Sequence, residues 1–176
     1  MTKTAFELGN TAASQGICTI SLLENSIEEA TMMGAVGNQG FSLGILSSGL
    51  FKKALSSKYR NELMCGRFVF LSPFYPEANY SLQNWATVDK YRYCLAEAAI
   101  VVGNLSANHA EWRGAMEDFK NGWTPLWIDA NLSAFKESSE LVMRGARRLP
   151  AQPPNVQFRT LFGYEENLDL FARGTC

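Results

Sequence analysis

Helix-type and strand-type segments alternate along most of this 176-residue chain. The strand-type segments are short and β-branched or wholly apolar, and Ala98–Val102 (AAIVV) is the clearest of them. Such segments are typical of a parallel sheet that helices cover on both faces. We therefore predict a three-layer, doubly wound α/β fold with a mostly parallel sheet of about five strands. The predicted strands are Ile17–Leu22, Phe41–Leu46, Phe68–Leu71, Ala98–Val102 and Pro125–Ile128.

The predicted helices lie between these strands, and several end at a glycine. Gly16 and Gly66 follow two of them, where a left-handed residue commonly ends a helix. Ser26 can cap the second helix, because Glu29 stands at capping-box spacing from it. The predicted helices are Thr4–Ser14, Ser26–Val36, Phe51–Cys65, a segment that contains Trp85, Ala110–Lys120 and Phe135–Gly145.

The alternation stops near Pro150, because the sequence AQPPN that follows cannot form a helix. We predict one domain over residues 1–150 and a tail or small appendage over 151–176. The chain opens on a helix, whereas doubly wound domains usually open on a strand. We expect that this strand is lost or is supplied by another segment or chain. The sheet edge or apolar surface left uncovered favours a homo-oligomer.

Composition excludes several classes of protein. Apolar residues make up 47% and charged residues 19% of the chain, which indicates a globular domain. No apolar run approaches the length of about eighteen residues that spans a bilayer, and no signal peptide is evident. We expect a cytoplasmic protein with no membrane partner. The net charge of −1 argues against a surface that binds nucleic acid throughout, although it permits a local basic groove.

The chain carries no recognisable catalytic or metal-binding motif. It lacks GxSxG, HExxH, the Walker pattern and GxGxxG. Its four cysteines are scattered, so we expect reduced, mostly buried thiols and no structural zinc. The lone His109 is interpreted as a polar residue at a helix start. These features favour a protein that is not an enzyme and that uses no cofactor.

Two segments carry binding hypotheses. Trp85, Lys90 and Arg92 fit a single-stranded nucleic acid site, in which an aromatic ring stacks on a base and cations neutralise phosphates. The same spacing fits a core tryptophan with cations on the solvent side of the helix. Gly103 and Asn104, with Ser106 and Asn108, follow a predicted strand, and a turn of this kind can hold the phosphate of a nucleotide.

An ordered series of segments resembles the Rossmann-like domain of the DprA/Smf family of DNA-processing proteins. The resemblance runs from Thr4 to Arg147. Gly34-Ala35 stands in the first part of the family pattern, Gly49-Leu50 at its next strand and turn, and Gly145-Ala146 in its closing helix. The quoted segments are TAFELGNTAASQGICTISLLENSIEEATMMGAV, GFSLGILSSGL, FVFLSPFYP, WATVDKYRYCLAEAAIVV, RGAMEDFKNGWTPLWI and SSELVMRGARRL.

The resemblance implies a recombination mediator that binds single-stranded DNA and loads a recombinase. Trp85 would then stack on a base, while Lys90 and Arg92 would hold phosphates. Ser106 and Asn108 would line the floor of the pocket. Asn25 stands where the family has an arginine that contacts DNA, and the family's first strand with its Gly-Ser-Arg turn is missing.

Two alternatives to this function stay open. One is a nucleotide-sensing Rossmann-like module, which rests on the turn that begins at Gly103. The other is a degenerate scaffold for protein interactions. The scaffold hypothesis expects exposed aromatic side chains at Phe74, Tyr75, Phe158 and Phe162.

Overall fold

A computed structural model describes residues 2–103, 110–129 and 136–162 of the chain. Within these ranges, helices and strands alternate as the sequence predicts. None of the described helices is long and apolar enough to cross a bilayer. The elements are α1 (Thr2–Ser14), β1 (Thr19–Ser21), α2 (Ser26–Gly37), β2 (Ser42–Ile45), α3 (Leu50–Ala54), α4 (Arg60–Met64), β3 (Phe68–Leu71), α5 (Leu82–Leu95), β4 (Ala99–Val101), α6 (Ala110–Asn121), β5 (Leu126–Ile128), α7 (Lys136–Met143), β6 (Arg147–Arg148) and a 3-10 helix (Phe158–Leu161).

The strands form two separate parallel sheets, in the orders β1-β2-β3 and β4-β5-β6. This confirms the predicted α/β class and the parallel pairing. The prediction of one sheet of about five strands is wrong, because each sheet has three strands and no ladder joins β1 to β4 among the described residues. The sixth strand, Arg147–Arg148, is short, charged and exposed, so it carries none of the apolar pattern that predicts a strand.

Two glycines allow α1 and α2 to pack at very short range. A Cβ atom added to Gly9 would lie 1.9 Å from the backbone oxygen of Thr31, and one added to Gly34 would lie 2.0 Å from that of Phe6. Each glycine therefore faces main chain of the partner helix, and no larger residue fits without moving it. This contact fixes the α-layer that covers β1.

The predicted helix Phe51–Cys65 is two short helices, α3 and α4. Ser56 lies between them and accepts two local hydrogen bonds, from the N–H of Lys58 to its Oγ at 3.3 Å and from the N–H of Tyr59 to its carbonyl at 3.3 Å. Serine side chains compete in this way with helix continuation. The side chain of Tyr59 is buried against β3 and closes the core over this sheet.

The described part of the chain beyond Pro150 packs into the core. Val156 and Leu161 are fully buried and contact a cluster that includes Trp127. The indole N–H of Trp127 donates to the carbonyl of Leu161 at 3.1 Å. Gln15 also holds this segment, since its amide donates to the carbonyl of Val156 at 2.6 Å and its Oε1 accepts from the N–H of Phe158 at 2.9 Å. The domain boundary at residue 150 stays a prediction.

Two local predictions need correction. Asn25, not Ser26, caps α2, because its Oδ1 accepts from the N–H groups of Ile27 and Glu28 at 3.0 Å each. The free thiols of the described residues are exposed rather than buried; they are Cys18, Cys65 and Cys94.

Candidate functional site

Trp85 lies on the side of α5 that faces the first sheet. Its indole is half-buried and packs against a cluster formed by Leu22, Ile45 and Val88, together with Phe74. Ser81 begins the helix by accepting from the N–H of Asn84 at 3.0 Å. The Ser81 cap thus fixes where α5 begins, and most of the indole packs against the apolar residues beneath the helix.

Arg92 lies in a nearly closed charge cluster. Only 17% of its side chain is exposed, and its guanidinium forms ion pairs with Glu28 at 2.7 Å and Asp89 at 2.5 Å. The Asp89 carboxylate sits against Gly114 of α6, where a Cβ atom would lie 1.9 Å from its Oδ2. The guanidinium is therefore neutralised by protein carboxylates and holds α2 and α5 together.

The charges in this cluster do not balance. Burial raises the pKa of Asp89 to about 6; the charge of Arg92 acts against the shift, while Glu28 and Glu111 increase it. Burial also raises the pKa of Glu28, again against Arg92. Burial acts to lower the pKa of Arg92, but Tyr93 and the two carboxylates raise it, so the arginine stays charged. The surroundings of Arg92 therefore carry excess negative charge.

Lys90 and Asn25 also have partners within the protein. The ammonium of Lys90 lies 2.7 Å from Glu117 on α6, and its side chain is 46% exposed. An exposed pair of this kind contributes about 0–1 kcal/mol, so it can exchange for another anion. The side chain of Asn25 is used by the α2 cap.

A cavity of about 770 Å³ lies between β1 and β4, and we call it the central gap. Gly103, which follows β4 and has φ +103°, lines one end of it, and Asn25 and Arg92 also line the cavity. Glu28 and Glu111 belong to the same lining and oppose the binding of a phosphate. The other predicted pocket residues lie outside the described ranges; they are Asn104, Ser106 and Asn108, together with His109.

The carboxyl ends of β2 and β3 meet at one edge of the first sheet, because the two strands are parallel. A loop after β3 is fastened there to the start of α3. The N–H of Gly49 donates to the carbonyl of Ala78 at 3.0 Å, and the N–H of Phe51 donates to that of Pro76 at 3.0 Å. Asn84 Nδ2 adds a bond to the carbonyl of Ser47 at 3.3 Å.

Three aromatic side chains project from this edge, and we call them the aromatic rim: Phe51, Tyr75 and Tyr80. Their exposed fractions are 54%, 72% and 56%. Lys52, beside Phe51, is also exposed. The sequence signal for this site is the proline-containing loop 72–80, from which the scaffold hypothesis uses Phe74 and Tyr75 but not Tyr80. Four aromatic residues were expected to be exposed, and of these only Tyr75 is exposed. Phe74 and Phe162 are half-buried, and Phe158 is buried in the core.

Fold and site together define an α/β protein of the Rossmann-like type, with parallel strands and an exposed aromatic cluster at a carboxyl edge. No group of metal-ligating side chains occurs among the residues that the structure describes. In such folds ligands bind at the carboxyl ends of the strands. Both the aromatic rim and the Gly103 end of the central gap lie at such ends.

The structure is similar to that of DNA processing protein A (DprA) from Streptococcus pneumoniae, with a TM-score of 0.66 and 16% identity over 84% of this chain and 52% of that one. It is also similar to the molybdenum cofactor binding protein of the phototrophic bacterium Rippkaea orientalis, with a TM-score of 0.57 and 17% identity over 86% of this chain and 80% of that one. The chain spans about half the length of the DprA structure that it matches. No family model and no curated protein matches the sequence. At identities of 16% and 17%, these comparisons show that the chain shares the fold of the two proteins.

Proposed function

We propose that this protein binds single-stranded DNA and acts, without catalysis, as a DNA-processing protein of the DprA kind. The aromatic rim carries the proposal. Phe51, Tyr75 and Tyr80 are all more than half exposed at one carboxyl edge of the sheet. Stacking of a base on an aromatic side chain contributes about 1–3 kcal/mol, and it tolerates any base sequence.

The charges near the aromatic rim support a site that depends more on stacking than on phosphate contacts. Lys52 is exposed, whereas Lys53 donates from Nζ to the carbonyl of Leu23 at 3.0 Å. One or two phosphates would then be neutralised, and affinity would fall with salt at a log–log slope of about −0.7 per phosphate. Such a shallow dependence agrees with a net charge of −1.

The binding roles of Trp85, Lys90, Arg92 and Asn25 stay predictions. Lys90 fits a peripheral phosphate contact, because its pair with Glu117 is exposed. Arg92 could contact DNA only by leaving Glu28 and Asp89. The recombinase partner and the homo-oligomer likewise stay predictions.

Fluorescence anisotropy with labelled oligo-dT at two salt concentrations tests the proposal. Tyr75→Ala and Phe51→Ala should each weaken binding about five-fold or more, the equivalent of 1 kcal/mol or more of lost stacking. Phe41→Ala is the matched control. Phe41 is 60% exposed, like the rim residues, but it precedes β2 and so lies at the opposite edge of the sheet. Equal weakening by all three variants, or by none, would remove the aromatic rim as the binding site.

The second candidate is recognition of a mononucleotide at the Gly103 end of the central gap. It is favoured by one observation, the glycine of positive φ that lines a cavity at the end of a strand. Thermal stabilisation by mononucleotides, with no binding of oligo-dT, would select this candidate over the first. The carboxylates of Glu28 and Glu111, which line the same cavity, argue against it.

A further inference from the structure

The central gap separates two sheets that would otherwise form one. β1 is the last strand of the first sheet, and β4 is the first strand of the second. Residues of both strands line the same cavity. All three residues of β4 are only half-buried, although the strand is wholly apolar and lies inside the fold. Among the described residues, β4 pairs with β5 on one side and with no strand on the side of the gap.

On each of the two strands, one residue turns its backbone groups away from the paired strand and so toward the central gap. The N–H of Thr19 donates to the carbonyl of Phe41 at 3.1 Å, so the N–H and C=O of Thr19 point toward β2. Because these directions alternate along a parallel strand, the N–H and C=O of Ile20 point away from β2. In β4, the N–H of Ala99 donates to the carbonyl of Pro125 at 3.0 Å, which leaves the N–H and C=O of Ile100 on the side of the gap. Two strand edges thus face one cavity.

The volume of the cavity matches one short strand. A strand in a packed sheet fills roughly 160 Å³ per residue, from a rise of about 3.3 Å, a strand spacing of about 4.8 Å and a layer spacing of about 10 Å. The volume of about 770 Å³ therefore leaves room for a short strand of about five residues. A compact small ligand would leave most of both strand edges without hydrogen bonds.

The walls of the central gap determine the chemistry of such a strand. Leu8 and Ala12 of α1 line one face, and Tyr93 and Leu126 line the other. These pairs belong to the two apolar clusters on opposite faces of the second sheet. A strand between them is buried on both faces, so all its side chains must be apolar.

The end of the central gap beside Arg92 is acidic. Glu28 pairs with Arg92 and lies close enough to Glu111 to be repelled by it, and both carboxylates line the gap. Glu97 is a further carboxylate of the lining, and Arg92 is the single cation among the described lining residues. Asp89, in contact with Arg92 at 2.5 Å, adds another carboxylate behind the wall. A cationic residue that follows the apolar strand at this end would balance the charge.

We propose that the central gap is a binding site for one extended peptide strand of a partner polypeptide. The strand has about five apolar residues and a lysine or arginine at the end beside Glu28. It hydrogen-bonds to Ile20 on one side and to Ile100 on the other, and so completes a continuous sheet. The site is independent of the aromatic rim and of the proposed binding of DNA.

The test uses the whole protein and a fluorescein-labelled peptide of five valine and isoleucine residues followed by one glycine and two lysines. Anisotropy should show saturable binding. Amide hydrogen exchange should slow at least about tenfold at both Ile20 and Ile100, because both N–H groups become paired. An absence of binding, or slowing at only one strand, overturns the proposal. Slow exchange at both amides before any peptide is added also overturns it, because the edges are then already covered.

Two controls separate strand pairing from apolar adhesion. The same peptide with N-methyl groups on its second and fourth residues keeps its side chains but loses donors on one edge, and it should bind about tenfold more weakly. In the protein, Ile20→Pro removes the N–H that faces the gap and no hydrogen bond of the ladder to β2, so it should abolish binding. Ile20→Val also shortens the side chain but keeps the N–H, so it should not. Equal binding of both peptides overturns the proposal. A homodimer that Ile20→Pro dissociates also does so, since a second copy would then fill the gap.

Discussion

At the scale of single residues, the partner of a charge determines what that charge can do. The sequence spacing correctly placed Trp85, Val88 and Arg92 on one face of a helix, and Val88 is fully buried there. It could not show that Glu28, 64 residues earlier in the chain, meets Arg92. Spacing reports neighbours within one element, whereas an ion pair between two helices depends on their packing. The predicted DNA cation is thus found in a buried cluster.

The same cluster predicts a pH dependence of stability. Asp89 has a pKa of about 6 in the folded protein and an ordinary value near 3.8 when unfolded. The folded state therefore holds this proton more tightly, so its contribution is fully present below about pH 4 and is lost as the pH rises to about 6. The loss amounts to up to about 3 kcal/mol. Asp89→Asn should flatten this part of the curve of unfolding free energy against pH.

Chemical denaturation at intervals between pH 4 and pH 7 measures this effect. The exposed Glu77→Gln is the matched control and should leave the curve of the unchanged protein in place. An Asp89→Asn curve as steep as that of the unchanged protein would show that Asp89 does not titrate in this window.

At the scale of elements, the contact between α1 and α2 is the most sensitive to substitution. Gly9→Ala or Gly34→Ala would place a methyl group about 2 Å from a main-chain oxygen of the other helix. Because backbone cannot rotate away as a side chain can, we expect each variant to lower the free energy of unfolding by about 1–3 kcal/mol or more. Denaturant titration followed by circular dichroism measures the change.

Gly37→Ala supplies the control for these substitutions. Gly37 is the last residue of α2, and a Cβ atom there meets nothing within 4 Å. Alanine has the higher helix propensity, so this variant should be neutral or more stable by up to about 1 kcal/mol. Equal destabilisation at Gly9 and Gly37 would mean that the close contact at Gly9 does not govern the effect.

The elements also show where sequence patterns succeed and fail. Apolar runs located the first five strands, and glycines marked helix ends such as Gly16 and Gly66, both of which have positive φ. The patterns missed the break at Ser56, where side-chain and backbone bonds compete with a helix. They also missed β6, because Arg147–Arg148 has no apolar pattern and is a strand through its pairing with β5. Of the aromatic rim, the sequence predicts exposure of Tyr75 alone; the approach of Phe51 and Tyr80 to it at the ends of two strands depends on the tertiary fold.

At the scale of the whole molecule, the segment after Pro150 connects distant parts of the chain. Gln15 makes two hydrogen bonds to it, with Val156 and Phe158. Gln15→Ala should lower the free energy of unfolding by about 1–3 kcal/mol, because two backbone groups lose their partner. Limited proteolysis should then cut the segment sooner. Gln83→Ala, at an exposed position of α5, should change neither measurement. Unchanged cleavage in Gln15→Ala would mean that apolar packing alone retains the segment.

An interrupted ladder also determines how a molecule can move. Within each sheet, parallel hydrogen bonds couple three strands, whereas in the part of the chain that the structure describes no ladder couples β1 to β4. The softest collective motion should therefore be a twisting of one sheet against the other, with the axis along the break. Relaxation-dispersion NMR would detect it as microsecond-to-millisecond exchange in residues on both sides of the break, with the inner strands β2 and β5 remaining quiet.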